Sequence, residues 1–410
     1  MKVSNQQIRE LLTRGVVDIV GREALERKLL AGKKLRIKFG VDVARPDIHL
    51  GHAVGLRKLR EFQDLGHKVI FLIGDATTRI GDPTGKDKTR PLLTEREIKA
   101  NAKTYIAQAG KVLDLKKTEI RRNSEWFDKM SMLDFVKLMT MVTHSQLITR
   151  EAFQKRIAEG QEIFAHELIY PLMQGYDSVV LKADLALHAD QLFNEHFGRS
   201  LQEKFGQEPQ AIMTLPILAG LDGKQKMSKS LDNCVGLTEA PDAMYGKLMS
   251  LPDEAIADYF TLCTDLTVAE IEKIRTALAE KTVHPVKSAE GGAKQFNRVN
   301  PRDLKMRLAR RVVEIYHGAK KAAAAEQEFV RVFQKKDQPD KVTKIKVVPG
   351  SLLADVLLAE KMIASKSDFR RLIAGGGIQV NDEKLNDPNY RITENILVRV
   401  GRLKFLEIKL

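Results

Sequence analysis

Lys34-Leu-Arg-Ile-Lys-Phe-Gly-Val-Asp-Val-Ala-Arg-Pro-Asp-Ile-His-Leu-Gly-His52 decides how the rest of the chain is read. Leu35, Ile37 and Phe39 alternate with Arg36 and Lys38, the two-residue period of an extended segment packed on one face, and Gly40 is expected to end it. From about His49 to Leu65 the apolar Leu50, Val54, Leu59 and Phe62 recur at helical spacing; Gly66 stops the helix, and Val69 to Ile73 reads as a buried strand. Strand, helix and strand make one βαβ unit. The loop after its first strand, with the helix N-terminus beyond it, offers free backbone N–H groups and a positive dipole end to an anion. His49-Leu50-Gly51-His52 falls at that junction. Two imidazoles there can donate to phosphate oxygens, and Gly51 leaves the backbone open to a phosphate or an adenine ring. A helix cap or half of a metal site would use the same spacing. Zinc is disfavoured because neither Cys234 nor Cys263 has a second ligand at a metal-binding spacing, and a dinucleotide because no Gly-x-Gly-x-x-Gly turn follows the strand.

The 410 residues suit two to four domains. No run approaches the ~18 apolar residues of a membrane span. Glu10 and Asp18 among the first basic residues are unlike a signal or transit peptide, so a cytoplasmic protein without a membrane partner is expected. Two cysteines give no disulfide framework. A formal charge of +14 points to a polyanionic partner such as a nucleic acid once a motif supports it.

Residues up to Gly32 read as an amphipathic helical arm carrying Leu11, Leu12, Val16, Val17 and Ile19, with a second helix carrying Leu25, Leu29 and Leu30. After the βαβ unit comes a glycine-rich loop, Gly74 to Arg90, in which Asp82 suits an ammonium group and Lys86 and Arg90 suit phosphate. Trp126 to Gly160 is helical and rich in Met and Leu, either core or a dimer face. Tyr170, Gln174 and Asp177 then lie at i, i+4 and i+7, a polar stripe among apolar neighbours that reads as a pocket lining, with Val179 to Leu181 as a following strand. Leu187 to Asn194 is expected to open a helix with Asp190 and Gln191 in its first turn, where they suit ribose hydroxyls or an α-amino acid. Ala211 to Leu218 reads as a strand leading into Gly220 to Asn233, a loop whose Lys224, Lys226 and Lys229 make a clamp for a leaving polyphosphate. Ala240 to Pro339 is helical and basic, with Arg302, Lys305, Arg307, Arg310 and Arg311 along one helix; Asp337 to Pro349 reads as a linker, and Ser351 to Leu410 as a compact basic α/β module.

In this order the pieces resemble the class I aminoacyl-tRNA synthetases, and within them the bacterial tyrosyl-tRNA synthetases, over nearly the whole chain. His49-Leu-Gly-His52 matches the family's His-Ile-Gly-His signature and Lys226-Met-Ser-Lys-Ser230 its lysine-loop signature. The resemblance implies an α/β architecture: a Rossmann-like nucleotide-binding catalytic domain with a parallel sheet over 1–238, with a helical dimer-interface insertion near 126–165. An α-helical anticodon-arm domain over 239–340 and a small RNA-binding module of the ribosomal-protein-S-four type over 350–410 would follow. It implies tyrosine contacts from Lys38, Asp42, Asp82, Tyr170, Gln174, Asp177 and Gln191, and ATP contacts from His49, Gly51, His52, Asp190 and Lys226, Met227, Ser228, Lys229 and Ser230. His49, His52, Lys86, Arg90, Lys226 and Lys229 would neutralise phosphate charge, and Arg370, Arg371 and Lys384 would meet RNA. The implied reaction joins the tyrosine carboxylate to the ATP α-phosphate, releases diphosphate, and passes tyrosine to the 3′ end of tRNA(Tyr). Magnesium would accompany the ATP without a tightly bound metal, and the family implies a homodimer.

The chain departs from the family pattern in places. Val43-Ala44 replaces Pro-Thr after the strand aspartate, Lys38 stands where many members have a second tyrosine, and Leu187-His-Ala-Asp-Gln191 stands for Gly-Gly-Thr-Asp-Gln, with the loop before Asp190 reading as one residue shorter than the family's. Two further readings stay open, an RNA-binding descendant with reduced catalysis and a paralogue that activates another amino acid or serves a small-molecule pathway.

Overall fold

The computed structural model describes residues 4–44, 46–81, 93–279, 300–334, 343–381, 383–401 and 404–410. The chain divides into two compact units, Met1–Ala325 and Glu326–Leu410.

In the first unit β1 (Asp18–Val20), β2 (Arg36–Val41), β3 (Lys68–Ile73), β4 (Glu119–Arg122), β5 (Leu185–His188) and β6 (Ala211–Thr214) form a six-stranded sheet in the order β1-β6-β5-β2-β3-β4. All neighbours are parallel except β1, which runs antiparallel to β6. The chain leaves β2 toward β3 and β4, then crosses back to β5 and β6. The order therefore reverses between β2 and β5, and a crevice opens at their C-terminal ends. Val69 to Ile73 of β3 are all buried, as a strand covered on both faces requires. The same cover corrects the one-faced reading of β2: Ile37 and Lys38, on opposite faces, are both buried, and the strand continues through Gly40 to Val41.

Other expectations change for local reasons. The two helices of the N-terminal arm are Asn5–Thr13 and Arg22–Leu30, but Ile19, expected on the first of them, lies in β1 between them, and Gly21 with a left-handed φ of 76° begins the second. Val179 to Leu181 do not form a strand; they end the helix Ala165–Leu181, since a short apolar run fits a buried helix as well as a strand. Leu187 and His188 consequently end β5, and Asp190 and Gln191 precede the helix Leu192–Lys204 instead of filling its first turn. Pro216 follows β6, which stops at Thr214, short of the Leu218 expected. The polar edge strand β4, with Ile120 as its one apolar residue, gave no periodic signal.

The segment after Trp126 folds into the short helices Met132–Met139, His144–Ile148 and Glu151–Ala158. Leu138 packs with Leu172, Val179 and Leu201, whereas Met132 and Leu133 are 78% and 72% exposed, so this segment is core on one side only. Farther on, the helix Pro301–His317 buries Leu304, Leu308, Val312 and Val313. Its basic row is partly neutralised within the protein: Lys305 pairs with Asp253 at 2.8 Å, Arg307 with Glu270 at 3.5 Å, and Arg311 with Asp265. No described helix is long and apolar enough to cross a membrane.

The second unit holds β7 (Thr343–Lys346), β8 (Ile378–Val380), β9 (Glu383–Lys384), β10 (Ile396–Val400) and β11 (Lys404–Lys409) in the order β7-β11-β10-β8-β9. Leu353 and Leu357 of the helix Leu353–Ala359 and Phe369 of the helix Lys366–Ala374 share one core with Ile378, Val398 and Ile408. β7 lies within the stretch expected to be linker; it pairs in parallel with β11 and belongs to the module.

Candidate active site

A cleft of about 1860 Å³ lies at the C-terminal ends of β2 and β5. Among its lining residues are Lys38, Asp42, His49, Gly51, His52, Tyr170, Gln174, Asp177, Asp190, Gln191, Lys226, Met227, Ser228, Lys229 and Ser230, drawn from sequence positions up to 192 residues apart. Asp82, Lys86 and Arg90 lie outside the described residues. Arg370, Arg371 and Lys384 are exposed in the second unit, where Arg371 pairs with Asp368 at 2.7 Å.

At one end His49 precedes the helix Leu50–Asp64, and the His49 backbone N–H donates to His52 Nδ1 at 3.3 Å. The two rings stand 3.9 Å apart. A side chain at Gly51 would crowd the site: a Cβ there would meet the His49 ring at 3.0 Å, and the Gly51 N–H points to Met227 Sδ at 3.3 Å. Met227 thus lays the lysine loop against the histidine turn. Ser228 N–H is held by Asn233 Oδ1 at 2.8 Å, and Lys229 forms an ion pair with Asp47, while Lys226 is exposed.

Burial, the mutual proximity of the two rings and Lys229 lower the His49 pKa to about 3. Burial and Lys229, opposed by Asp190, lower that of His52 to about 4. Both rings are therefore neutral near pH 7, each with one donor and one acceptor nitrogen. Because the unfolded chain takes up these protons near 6.5 and the folded one only below 4, stability from these groups is complete above 6.5 and falls as pH drops from 6.5 toward 3. His52→Asn is expected to flatten that acid limb in a plot of Tm against pH; an unchanged limb would contradict a neutral, buried His52.

The other end is built on the helix Ala165–Leu181. Tyr170 OH donates to Asp42 Oδ2 at 2.9 Å, and Thr77 Oγ1 donates to Asp42 Oδ1 at 2.8 Å. Asp177 accepts from Trp126 Nε1 at 3.0 Å and from Asn123 Nδ2 at 3.5 Å. Burial pushes its carboxyl up to about 8, against the pull of Lys38. Gly175 allows this helix to approach Leu192–Lys204 closely, since a Cβ would lie 2.9 Å from the Phe197 carbonyl carbon. That approach brings Gln174 to Asn194 and Glu195, with Asn194 Nδ2 donating to Gln174 Oε1 and to Gln191 Oε1, each at 2.7 Å.

Sequence reasoning missed Thr77, Asn123 and Glu195, and named Trp126 and His188 without assigning either a contact in the site. One signal was available for Glu195: a lysine on a strand buried on both faces needs a counter-charge. Of the departures from the family pattern, Ala44 lines the cleft without a hydroxyl, and His188 replaces a glycine, its ring stacking on Phe39 at 5.7 Å.

A largely parallel sheet whose crevice brings the histidine turn and the lysine loop together over one cleft defines a class of enzyme. The chain belongs to the class I tRNA synthetases of the tryptophan and tyrosine group, whose family model matches residues 30–334; an S4 domain model matches 353–396. The tyrosine--tRNA ligase of Thermotoga maritima is 45% identical over 403 residues, covering 97% of this chain and 96% of its own, and that of Carboxydothermus hydrogenoformans is 45% identical over 414 residues, covering 97% of each. Within the class, the chain is a member of the bacterial tyrosine--tRNA ligase family. The fold is that of the Archaeoglobus fulgidus tyrosyl-tRNA synthetase complexed with L-tyrosine, with a TM-score of 0.59 at 21% identity over 78% of this chain and 99% of that one. A truncated mitochondrial tyrosyl-tRNA synthetase of Aspergillus nidulans gives a TM-score of 0.63 at 22% identity over 80% and 94%.

Proposed function

We propose that this enzyme activates L-tyrosine with ATP in the cleft and transfers it to the 3′ end of tRNA(Tyr). The observation that carries the reading is the contact of Met227 with Gly51, which joins the lysine loop to the histidine turn in the same cleft that holds the Tyr170–Asp42 pair. A carboxylate oxygen of tyrosine attacks the α-phosphorus as the bond to the bridging oxygen breaks and diphosphate leaves; the ribose hydroxyl of the tRNA end then displaces AMP from the carbonyl carbon. Such phosphoryl chemistry is accelerated chiefly by positioning and charge neutralisation. Asp42, Tyr170 and Gln174, with Asp82, are proposed for the α-ammonium group, Asp177 for the phenol, and Asp190 and Gln191 for the ribose and amino-acid side. His49, His52, Lys226 and Lys229, with Lys86 and Arg90, are proposed for the phosphates. The cleft-lining Lys38 has a supporting part, because its ammonium is turned to Glu195 and Ser178.

Magnesium would supply further neutralisation when it arrives on the ATP phosphates. Among the described residues no three His, Cys, Asp or Glu side chains converge to hold an ion. The exposed Met132, Leu133, Val136 and Met139 are proposed to be covered by a second copy of the chain, and the enzyme to work in the cytoplasm. Residues 239–340 are proposed as the anticodon-arm domain and 350–410 as the RNA-binding one. Charging of tRNA(Tyr) with radiolabelled tyrosine tests the whole reading, and a protein that forms tyrosyl-adenylate but charges no tRNA would contradict its second half.

Ending the chain at Gln334 removes Arg370, Arg371 and Lys384 and no cleft residue. Pyrophosphate exchange is expected to persist, charging to weaken, and the salt dependence of tRNA binding to flatten because fewer counterions are released. An unchanged salt slope would mean that the second unit does not contact tRNA phosphates.

A further inference from the structure

Lys38 on β2 and Glu195 on the helix Leu192–Lys204 meet at 2.8 Å with 1% and 0% of their side chains exposed. Lys38 Nζ also donates to Ser178 Oγ at 2.6 Å and reaches the Gln174 carbonyl at 3.4 Å, so its three N–H groups all have partners inside the protein. Glu195 accepts from Gln174 Nε2 at 2.8 Å and from Gln210 Nε2 at 2.8 Å, and lies 3.0 Å from His188 Nε2. Burial opposes its charge, yet Lys38 and His188 hold its carboxyl well below the usual carboxylate range. An ionised carboxylate only accepts hydrogen bonds. The Gln174 amide must therefore turn its NH2 to Glu195. Its oxygen, bonded on one side by Asn194 Nδ2, keeps a second lone pair.

Resting on the tyrosine-activating reading, we propose that Glu195 is the positioning residue of the amino-acid site: it fixes the Gln174 amide so that oxygen, and not NH2, is offered to the substrate's α-ammonium group. Glu195 touches no substrate itself; its effect runs through Gln174. The device is particular to a chain that carries Lys38, because the buried ammonium keeps the carboxylate charged.

Glu195→Gln decides it. The introduced amide has one oxygen, which the Lys38 ammonium claims, leaving an NH2 against Gln174; Gln174 then rotates and presents its own NH2 to the cleft. The Kd of tyrosine for the full chain, read by calorimetry, is expected to rise about tenfold to a hundredfold, the range for an ammonium that meets a donor in place of an acceptor. The Kd of 3-(4-hydroxyphenyl)propionate, which lacks only the α-ammonium group, is expected to stay within about twofold, as is the KM for ATP. Equal weakening of both ligands, or of neither, would overturn the proposal. In case the lone ammonium unfolds the variant, Lys38→Met/Glu195→Gln is tested beside it. With no cation to claim the oxygen, the introduced amide can accept from Gln174 while Gln210, whose Oε1 has no hydrogen-bond partner among the described residues, turns to accept from it. This double variant is expected to keep the preference for tyrosine over the deamino acid, and a folded double variant that loses it also overturns the proposal. Absence of tyrosine-dependent pyrophosphate exchange in the unaltered protein would instead count against the activity; the ligand comparison needs no turnover and stands apart from it.

Discussion

Lys229→Ala is expected to lower the rate of tyrosyl-adenylate formation by about 10²–10³-fold while changing tyrosine affinity by less than about twofold. In the free protein the Lys229 ammonium rests on Asp47, in a loop fixed to the histidine turn through Met227. The pair is partly exposed, so its loss costs the fold little. In the transition state negative charge builds on the departing diphosphate, and an ammonium already held at the mouth of the cleft stabilises that charge more than it stabilises bound ATP. Asp47→Ala separates resting place from working place: it should leave most of the rate intact, because the carboxylate only parks the lysine. Single-turnover adenylate formation and equilibrium tyrosine binding measure the two quantities. Equal losses in both for Lys229→Ala would contradict a transition-state role.

Asp177→Ala is expected to reduce kcat/KM for tyrosine by about a hundredfold and to collapse the preference over phenylalanine. The carboxyl gathers Trp126 Nε1 and Asn123 Nδ2 at the floor of the cleft. Its removal leaves two donors and the substrate phenol without their shared acceptor, at about 1–3 kcal/mol for each buried group left unpaired. Retained selectivity would place the phenol contact elsewhere. The same residue has a pH signature. Its folded pKa of about 8 stands above its ordinary 3.8, so its contribution to stability is complete below about 4 and is lost as pH rises toward 8. Asp177→Asn, which cannot ionise, should therefore gain in Tm relative to the unaltered protein across that interval; a constant difference would contradict the raised pKa.

What the sequence made legible was local. The β2–helix–β3 unit, the histidine turn, the lysine loop and the Tyr170–Gln174–Asp177 stripe are each written within a few residues by apolar period or by unusual polar residues at fixed offsets. What it concealed depends on distant partners. β1 is three residues long and exists because β6 accepts it as an edge; β4 is polar; and Val179 to Leu181 are as apolar as a strand although they finish a helix. Glu195 looks like an ordinary acidic helix residue until the fold places Lys38, 157 positions earlier, against it. His188, in place of a family glycine, likewise stood out only as a departure from the family pattern; in the fold it ends β5 beside that carboxylate.

The most direct test of the central claim is ATP–pyrophosphate exchange by the full chain, with each amino acid supplied in turn. The cleft described here predicts exchange that depends on tyrosine, is far weaker with phenylalanine, and disappears in the Lys226→Ala/Lys229→Ala variant. Exchange that is absent with tyrosine, or that another amino acid supports better, would contradict it.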